Sequence, residues 1–447
     1  MTRSAVEDVW PLSPLQQGLL FHAALDDQGP DVYQGQRLLD LTGPLDADRL
    51  RRAWETLLAR HPALRAGFRR RRSGEAMQVI ARDVALPWRE ADLTGLPESE
   101  VAPASNKLAR AERAERFDLA VPPLLRLLLI RLGETRHRLV LTSHHVLLDG
   151  WSLPVLLREL KTVYAADGDA GVLPAPVSYR DYLVWLGRQD KEAARAAWRA
   201  ELDGAEEPTL VAPAATGVAP VAPEILTRDV PGRLAEEVTA FARRHGLTVN
   251  TVVQGAWALV LARLTGRTDV VFGATVSGRP AELPDVESMV GLFINTVPVR
   301  VRLDGAQSVV GMLTELQQRQ RNLLAHHHMG LSEVQQLAGP GAAFDTLLVY
   351  ENYPRTPAPA AAPDTFDLRV VAGEETAHYP FTLVVAPGTP MRCKLDYRPD
   401  LFDRATAESV FTRLFEVLGQ LLRDPSAPVG RVGVLGAVER AAVLDGS

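Results

Sequence analysis

Two adjacent histidines and an aspartate form the grouping with the clearest chemical potential in this chain. Residues 144–150 read His-His-Val-Leu-Leu-Asp-Gly. The apolar run 138–143 before them predicts a buried strand, Asp149-Gly150 predicts a turn, and a helical pattern of apolar residues starts at Leu153. An imidazole suits general-base work or the binding of an amine, and loops on a rigid scaffold often carry such groups. The stretch therefore predicts a reactive site where a strand leads into a helix.

The two histidines are expected to point in different directions. Consecutive strand residues face opposite sides, so one of His144 and His145 faces a cavity while the other packs. This geometry argues against a shared metal ion. A plainer interpretation is that Asp149 starts a turn and both histidines are structural, and the motif alone does not exclude it. The histidine run at 326–328 has no cysteine or acidic residue at ligand spacing, and we expect no metal there.

The composition is that of an ordinary globular chain. It has 447 residues, 46% of them hydrophobic and 23% charged, with a formal net charge of −6. The negative charge argues against a nucleic-acid partner. The single cysteine, Cys393, excludes an internal disulfide and, with no recognisable signal peptide, predicts a cytoplasmic location. No apolar stretch is long enough to span a bilayer, so we expect no membrane partner.

Strands and helices alternate in both halves of the chain. Hairpins are predicted within 64–80 and 124–143, and one long polar helix is predicted from Tyr179 to about Leu202. The second half opens with apolar helices, including 249–264, and closes with a helix over about 405–422. Together with the length, this pattern predicts an α/β (α+β) fold with two lobes that mix antiparallel strands and helices.

Seven stretches, in order, resemble the core motifs of the condensation domains of non-ribosomal peptide synthetases, within the chloramphenicol-acetyltransferase-like superfamily. They cover nearly the whole chain and lie at residues 12–22, 60–68, 144–152, 179–182, 277–280, 290–296 and 396–402. The resemblance implies two acetyltransferase-like lobes in a V shape with an active-site tunnel between them. It places the N-terminal lobe at 1–176, the C-terminal lobe at 177–430 and the start of a linker toward an adenylation domain at 431–447.

The resemblance also implies a reaction and its partners. An upstream carrier protein would deliver a peptidyl or aminoacyl thioester, and a downstream carrier would deliver the aminoacyl group whose α-amine attacks it. Both substrates would arrive on phosphopantetheine arms, so the chain would need no cofactor of its own. An adenylation domain would be a neighbour, and the excised domain is expected to be a monomer.

Specific residues take roles from this resemblance. His145 matches the family's active-site residue and is expected to orient the amine, accept its proton or steady the tetrahedral intermediate. His144 is expected to support it, and the amide of Gly150 is expected to donate to the developing oxyanion. Asp149 is expected to fix the loop by pairing with an arginine, and the family's partner corresponds to Arg279.

Other residues near the motifs complete the predicted site. Arg65 is a second candidate for the pair with Asp149. Trp151 and Ser152, next to the seven-residue motif, are expected to contact substrate. Asn295 is expected either to hydrogen-bond substrate or to brace the crossing between lobes.

The first motif predicts a subtype, and other hypotheses stay open. Ser-Pro-Leu-Gln-Gln-Gly-Leu-Leu-Phe-His at 13–22 is similar to the D-to-L subtype, whose donor ends in a D-residue. An epimerase of a carrier-bound aminoacyl group is one alternative, because epimerisation domains share the motif at 144–150. A non-catalytic module that docks carriers or tailoring enzymes is another. A free acyltransferase that uses coenzyme A is disfavoured by the motifs outside 144–150.

Overall fold

A computed structural model describes residues 5–25, 31, 33–215, 221–351, 366–374 and 377–433. It divides the chain into two compact units, each with its own hydrophobic core; the first unit has two sheets and the second has one. The first unit comprises Met1–Gln189, Gly278–Ile294 and Tyr353–Thr376, and the second comprises Asp190–Ser277, Asn295–Asn352 and Ala377–Ser447. The mixed α/β class is confirmed. The continuous lobes predicted from the sequence differ from this division, because two later segments return to the first unit.

The strands and helices alternate along both halves of the chain. In chain order they are β1 (Val6–Trp10), α1 (Pro14–Leu25), β2 (Gln34–Thr42), α2 (Ala47–Arg60), β3 (Ala66–Arg70), β4 (Ala76–Ala81), β5 (Trp88–Asp92), α3 (Glu98–Ala114), β6 (Leu125–Arg131), β7 (Arg136–His144), α4 (Ser152–Ala165), α5 (Tyr179–Gly187), α6 (Lys191–Leu202), β8 (Glu224–Asp229), α7 (Gly232–Arg244), α8 (Val249–Thr265), β9 (Asp269–Val276), β10 (Asn295–Arg302), α9 (Val309–Leu323), α10 (Leu331–Ala338), β11 (Thr346–Tyr350), β12 (Asp367–Glu374), β13 (Phe381–Ala386), β14 (Arg392–Tyr397) and α11 (Arg404–Arg423).

Two sheets organise the first unit. The larger has the strand order β12-β2-β7-β6-β5, and the smaller has the order β1-β4-β3. The hairpins predicted within 64–80 and 124–143 are confirmed as the antiparallel pairs β3–β4 and β6–β7. Strand β7 lies at the centre of the larger sheet and is buried along most of its length, so its carboxyl end is a rigid point from which a loop can start.

Strand β12 joins the first unit although it lies far along the chain. It pairs antiparallel with β2, with Leu368 opposite Leu41. The sequence assigned this segment to the second lobe, because local apolar alternation reports that a strand exists and not which sheet accepts it. The predicted linker at 431–447 lies almost wholly outside the described residues, and only its first three residues, up to Gly433, are described.

The prediction of a single helix from Tyr179 to about Leu202 is wrong. Helix α5 ends at Gly187, and α6 begins at Lys191. The Asp190 carboxylate accepts a hydrogen bond from the Ala193 amide at 3.0 Å and so caps the new helix. A polar N-cap residue inside a helical pattern is a start signal, and here it divides the pattern into two helices.

The second unit is built on one six-stranded sheet. The order is β10-β9-β11-β13-β14-β8, and the helix α8 packs in its core with an almost unbroken run of buried residues. Such all-round burial explains why α8 is apolar on every face. In the described part of the chain no single helix has the length and apolarity to cross a bilayer, while α7 and α8 together, bent by 111° at their junction, pass that test as a pair.

The second motif anchors helix α4, which carries the residues that follow the 144–150 stretch. Arg60 Nε donates to Glu159 Oε2 at 3.1 Å, and His61 Nε2 lies 2.7 Å from the same oxygen. All three side chains are largely buried. Burial raises the pKa of Glu159, but the hydrogen bond and charge of His61, with those of Arg60, outweigh it and hold this pKa below its ordinary value. The cluster therefore ties the end of α2 to α4.

We expect Glu159→Gln to lower the melting temperature at pH 7, and we expect this difference from wild type to become smaller in acid. Because the folded-state pKa of Glu159 is depressed, its ionised form stabilises the fold above the unfolded value, and this contribution is lost as the pH falls through the folded pKa. Thermal unfolding followed by circular dichroism between pH 7 and pH 3.5 measures the difference from wild type. Glu55→Gln, at an exposed helix position, is the matched control. A difference that stays constant across this range contradicts the prediction.

Candidate active site

The two histidines lie at the point where β7 leaves the sheet. His144 is the last residue of β7 and pairs with Gln34 of β2. The His145 amide donates to the Tyr33 carbonyl at 2.8 Å, and the Leu147 amide donates to the His144 carbonyl at 3.0 Å. The backbone at His145 is therefore held both by Tyr33, which directly precedes β2, and by the turn that follows.

His144 is a buried structural residue. Its side chain is 0% exposed, and Nδ1 accepts a hydrogen bond from the Val146 amide at 3.0 Å. Because Nδ1 accepts, the proton of a neutral ring lies on Nε2, which is 3.3 Å from Oδ2 of Asp31. Burial raises the pKa of Asp31, but its contact with His144 and the hydrogen bond from the Tyr33 amide outweigh this effect and hold the pKa below its ordinary value. Nδ1 of His144 is thus bonded to the backbone, and Nε2 is buried beside the Asp31 carboxylate.

His145 has a different environment from its neighbour. It is partly exposed, as is Gly150 at the other end of the turn. His144, Val146, Leu147 and Asp149 in the same stretch are all buried. Of the two histidines, His144 is fully buried and His145 is partly exposed.

The carboxylate of Asp149 is saturated with hydrogen bonds. Oδ1 accepts from the Ser152 amide at 2.9 Å and lies 2.8 Å from the Ser152 hydroxyl, and Oδ2 accepts from the Phe293 amide at 3.2 Å. Arg279 Nη2 lies 3.1 Å from Oδ1 and 3.4 Å from Oδ2. A carboxylate with these donors is a structural anion, because both of its oxygens are committed to the fold.

Arg279 is the partner that the family resemblance implied for Asp149. Its side chain is 3% exposed, and Nη1 also donates to the Met289 carbonyl at 3.0 Å. The guanidinium carbon lies 3.8 Å from the ring centroid of Phe293 and 5.5 Å from that of Trp151. Burial lowers the pKa of Arg279, and the adjacent Asp149 opposes this effect. The pair joins the loop at 144–152 to the segment 278–294 within the first unit.

The prediction of Arg65 as a second candidate partner of Asp149 is wrong. Arg65 Nη1 donates to Glu7 Oε2 at 2.7 Å, and its Nε donates to the Leu58 carbonyl at 3.1 Å. Arg65 thus joins the end of α2 to β1. Sequence distance favoured neither arginine, because both lie far from Asp149 along the chain and only the folded chain decides which one reaches it.

Ser152 does not offer its side chain to a substrate, contrary to the prediction. It is 0% exposed, and its Oγ lies 2.9 Å from the Gly291 carbonyl and accepts from the Gly291 amide at 3.1 Å. Ser152 is the first residue of α4, so its hydroxyl sits inside the network around Asp149. Trp151 is partly exposed and donates through Nε1 to the Glu287 carbonyl at 3.1 Å, and its substrate contact stays a prediction.

Asn295 is also engaged in the fold rather than with a substrate. It belongs to the second unit, and its Nδ2 donates to the carbonyls of His327 and Met329 at 2.8 and 2.7 Å. Its Oδ1 accepts from the Thr296 amide at 3.0 Å. Both amide hydrogens are therefore used to hold the turn before α10, which explains an amide at this position without a ligand.

The turn that presents Arg279 requires glycine at 278. Gly278 has φ +62°, and a Cβ there would lie 1.8 Å from the Phe293 carbonyl oxygen. We expect Gly278→Ala to lower the free energy of unfolding by about 2 kcal/mol or more, because it combines backbone strain with a clash against main chain. Denaturant unfolding measures this loss. Gly419→Ala, in the open interior of α11, is expected to stabilise slightly. An unchanged midpoint for Gly278→Ala contradicts the prediction.

Several residues that build this site were not predicted as site residues, although two of them lie in the motif stretch 179–182. Tyr179 and Tyr182 are buried, and the Tyr179 hydroxyl donates to the Leu292 carbonyl at 2.5 Å. A Cβ on Gly291 would come within 2.3 Å of the Tyr179 ring, so glycine there lets the ring pack on the backbone. The spacing of the two tyrosines on one helical face was the available signal. Asp31 offered no such signal.

Comparison with known protein families and sequences gives a consistent result. Residues 6–444 match the family described as Condensation domain. The chain is 36% identical over 457 residues to one of the linear gramicidin synthase proteins of Brevibacillus parabrevis, and 31% identical over 450 residues to surfactin synthase subunit 3 of Bacillus subtilis. The matches cover 98% and 100% of this chain but only 9% and 35% of those relatives.

Solved structures share the fold. The first condensation domain of the calcium-dependent antibiotic synthetase, in complex with a substrate analogue, matches with a TM-score of 0.78 and 23% identity over 96% of this chain and 100% of that one. A four-domain nonribosomal peptide synthetase bound to AMP and glycine matches with a TM-score of 0.81 and 19% identity over 97% of this chain and 34% of that one. The chain belongs to the condensation-domain family, the amide-forming acyltransferases of non-ribosomal peptide synthetases.

Proposed function

We propose that this chain transfers a D-terminated peptidyl or aminoacyl group from an upstream carrier protein to the α-amine of an aminoacyl group on a downstream carrier. The observation that carries the site assignment is the contrast between the two histidines. His144 is wholly buried with Nδ1 bonded to the backbone, whereas His145 is partly exposed directly after the end of β7. This contrast supports the assignment of His145 as the residue that meets the reacting amine.

The reaction requires the transfer of one proton. The amine nitrogen attacks the thioester carbonyl carbon, the C–N bond forms, and the C–S bond breaks. An α-amine has a pKa of about 8, so an appreciable fraction is neutral near pH 7 and a strong base is not needed. His145 orients the amine and accepts its proton, which then passes to the departing phosphopantetheine thiolate. Holding the two reactants in line supplies a large share of the acceleration.

The other motif residues act through the loop. Asp149 and Arg279 hold the turn, and Asp149 has no oxygen left to serve as a base. The Gly150 amide, at a partly exposed position, is assigned to the oxyanion that develops on the carbonyl. Atoms and charge balance without an oxidant, a metal or a cofactor of the chain's own.

The partners and the location form part of the same proposal. The chain spans 9% and 35% of the length of the two synthetases named above, so most of each of those proteins lies outside the matched region. We assign two carrier proteins, which bring the substrates on phosphopantetheine arms, and an adenylation domain as a neighbour. The lone cysteine, buried in β14, fits a reducing cytoplasm.

The donor preference rests on the first motif. Residues 13–22 are similar to the D-to-L subtype, and the D-terminated donor is inferred from this similarity alone. A single-turnover reaction tests it. The chain is mixed with a downstream aminoacyl carrier and with a peptidyl carrier that ends in either the D- or the L-residue, and intact-protein mass spectrometry follows the products.

The outcomes separate the hypotheses. Elongated peptide on the downstream carrier from the D-donor alone supports both the reaction and the subtype. Equal yields from both donors overturn the subtype and leave amide formation in place. Inverted stereochemistry on a single loaded carrier, without elongation, identifies an epimerase. Carrier binding without any product identifies a docking module.

A further inference from the structure

Two buried glutamines join the first motif to the loop that carries His145. Gln16 lies in the first turn of α1, Gln78 lies in β4, and each is 1% exposed. Gln78 Nε2 donates to Gln16 Oε1 at 3.0 Å, and Gln16 Nε2 lies 3.3 Å from Gln78 Oε1. The side chains thus form a reciprocal amide pair between a helix and a strand.

The remaining hydrogen-bonding capacity of the pair is directed at backbone. Gln78 Nε2 also donates to the Pro11 carbonyl at 2.8 Å, and Gln16 Oε1 also accepts from the Ser13 amide at 2.9 Å. The second N–H of Gln16 donates to the Val146 carbonyl at 3.0 Å. All four amide hydrogens have acceptors, so each amide orientation is determined by its partners.

The Val146 carbonyl belongs to the turn that fixes His145. On the other side of this turn, the His145 amide binds the Tyr33 carbonyl and the Val146 amide binds Nδ1 of His144. Gln16 supplies a side-chain donor to this turn from outside β7 and its neighbour β2. Removing that donor leaves a buried carbonyl without its partner, which costs about 1–3 kcal/mol unless the turn moves to find another.

We infer that the Gln16–Gln78 pair positions His145 for amide formation, with Gln16 acting on the turn and Gln78 holding Gln16 in orientation. This inference rests on the proposed role of His145. Gln16 is a positioning residue, since its side chain is buried and bonded to backbone. A displacement of about 1 Å at a reacting group lowers the rate of the chemical step about 100-fold, so a small shift of the turn has a large kinetic effect.

The test uses Gln16→Met, Gln78→Met and Gln317→Met. Methionine keeps the length and removes the amide. Gln317 is the matched control, because it is 7% exposed and its amide binds the Gly246 carbonyl and the Thr248 amide in the second unit. We expect Gln16→Met to lower kcat about 10- to 100-fold with KM for both carriers unchanged. Gln78→Met is expected to have a smaller effect of the same kind, and Gln317→Met none.

A readout independent of turnover accompanies the kinetics. Histidine labelled with 15N reports the ring signals, and the His145 signal is assigned by its loss in His145→Ala. We expect this signal to shift in Gln16→Met and to stay in place in Gln317→Met. An unshifted signal, or an unchanged kcat in Gln16→Met while His145→Ala is inactive, overturns the positioning role. Full activity of His145→Ala overturns the proposed role of His145, and with it this inference, while carrier-to-carrier transfer itself stands.

Discussion

His145→Ala is expected to lower the rate of amide formation by about 10²–10⁴-fold and to leave the fold intact. The loss follows from removal of the imidazole of His145, which is the partly exposed histidine of the 144–150 stretch. Because the residue is partly exposed, we expect the melting temperature to change little. Single-turnover kinetics with both carriers loaded measures the rate, and circular dichroism measures the melting temperature.

The neighbouring histidine is the control for this experiment. His144→Ala removes an acceptor that binds the Val146 amide and leaves a buried N–H without its partner. We expect it to lower the free energy of unfolding by about 1–3 kcal/mol, which His145→Ala does not. If His145→Ala turns over at the wild-type rate with the D-donor, then His145 is not the reacting residue and the chemistry rests on positioning alone.

Asp149→Ala and Arg279→Ala are each expected to abolish activity by disrupting the loop rather than by removing a reacting group. Both side chains are almost fully buried, and removal of one leaves the other as an uncompensated charge, which costs about 3–5 kcal/mol. Asp149→Ala also removes the acceptor of the Ser152 and Phe293 amides. Chemical denaturation of each variant, measured beside activity, gives the size of the loss.

A double-mutant cycle separates the ion pair from the other contacts. We expect the double variant, Asp149→Ala with Arg279→Ala, to be less destabilised than the sum of the single variants, because no unpaired charge remains buried. Arg52→Ala, which removes an exposed ion pair with Asp167, is the control and is expected to leave the unfolding midpoint unchanged. A stably folded Asp149→Ala variant that has lost activity would instead assign a chemical role to this carboxylate.

Most local elements of the fold were predictable from the sequence. The hairpins β3–β4 and β6–β7, the apolar helix α8 and the last helix α11 all appear where the periodicity predicts them. Each depends on the order of neighbouring residues, which the printed sequence contains. The break between α5 and α6 is also encoded by a nearby residue, because Asp190 is an N-cap that starts a new helix.

The site was only partly predictable. The residue types at 144–150 indicate an acid–base or amine-binding site, and the opposite-face rule requires the two histidines to differ. The motif does not reveal that the polar groups of Ser152 and Asn295 hydrogen-bond to backbone. The residue type is the same whether a hydroxyl or an amide bonds to buried backbone or to a substrate. That difference lies in which carbonyls and amides surround each side chain.

By itself, the sequence determined the chemistry available to this protein, the local elements and, through the order of its motifs, its family. Only the tertiary structure decided that Arg279 rather than Arg65 neutralises Asp149, that β12 and the segment 278–294 belong to the first unit, and that His145 rather than His144 retains exposed surface. The physical reason is the separation along the sequence of the residues that interact. Helix and strand patterns arise from residues a few positions apart, whereas a buried ion pair joins residues 130 positions apart and forms only when the chain has folded.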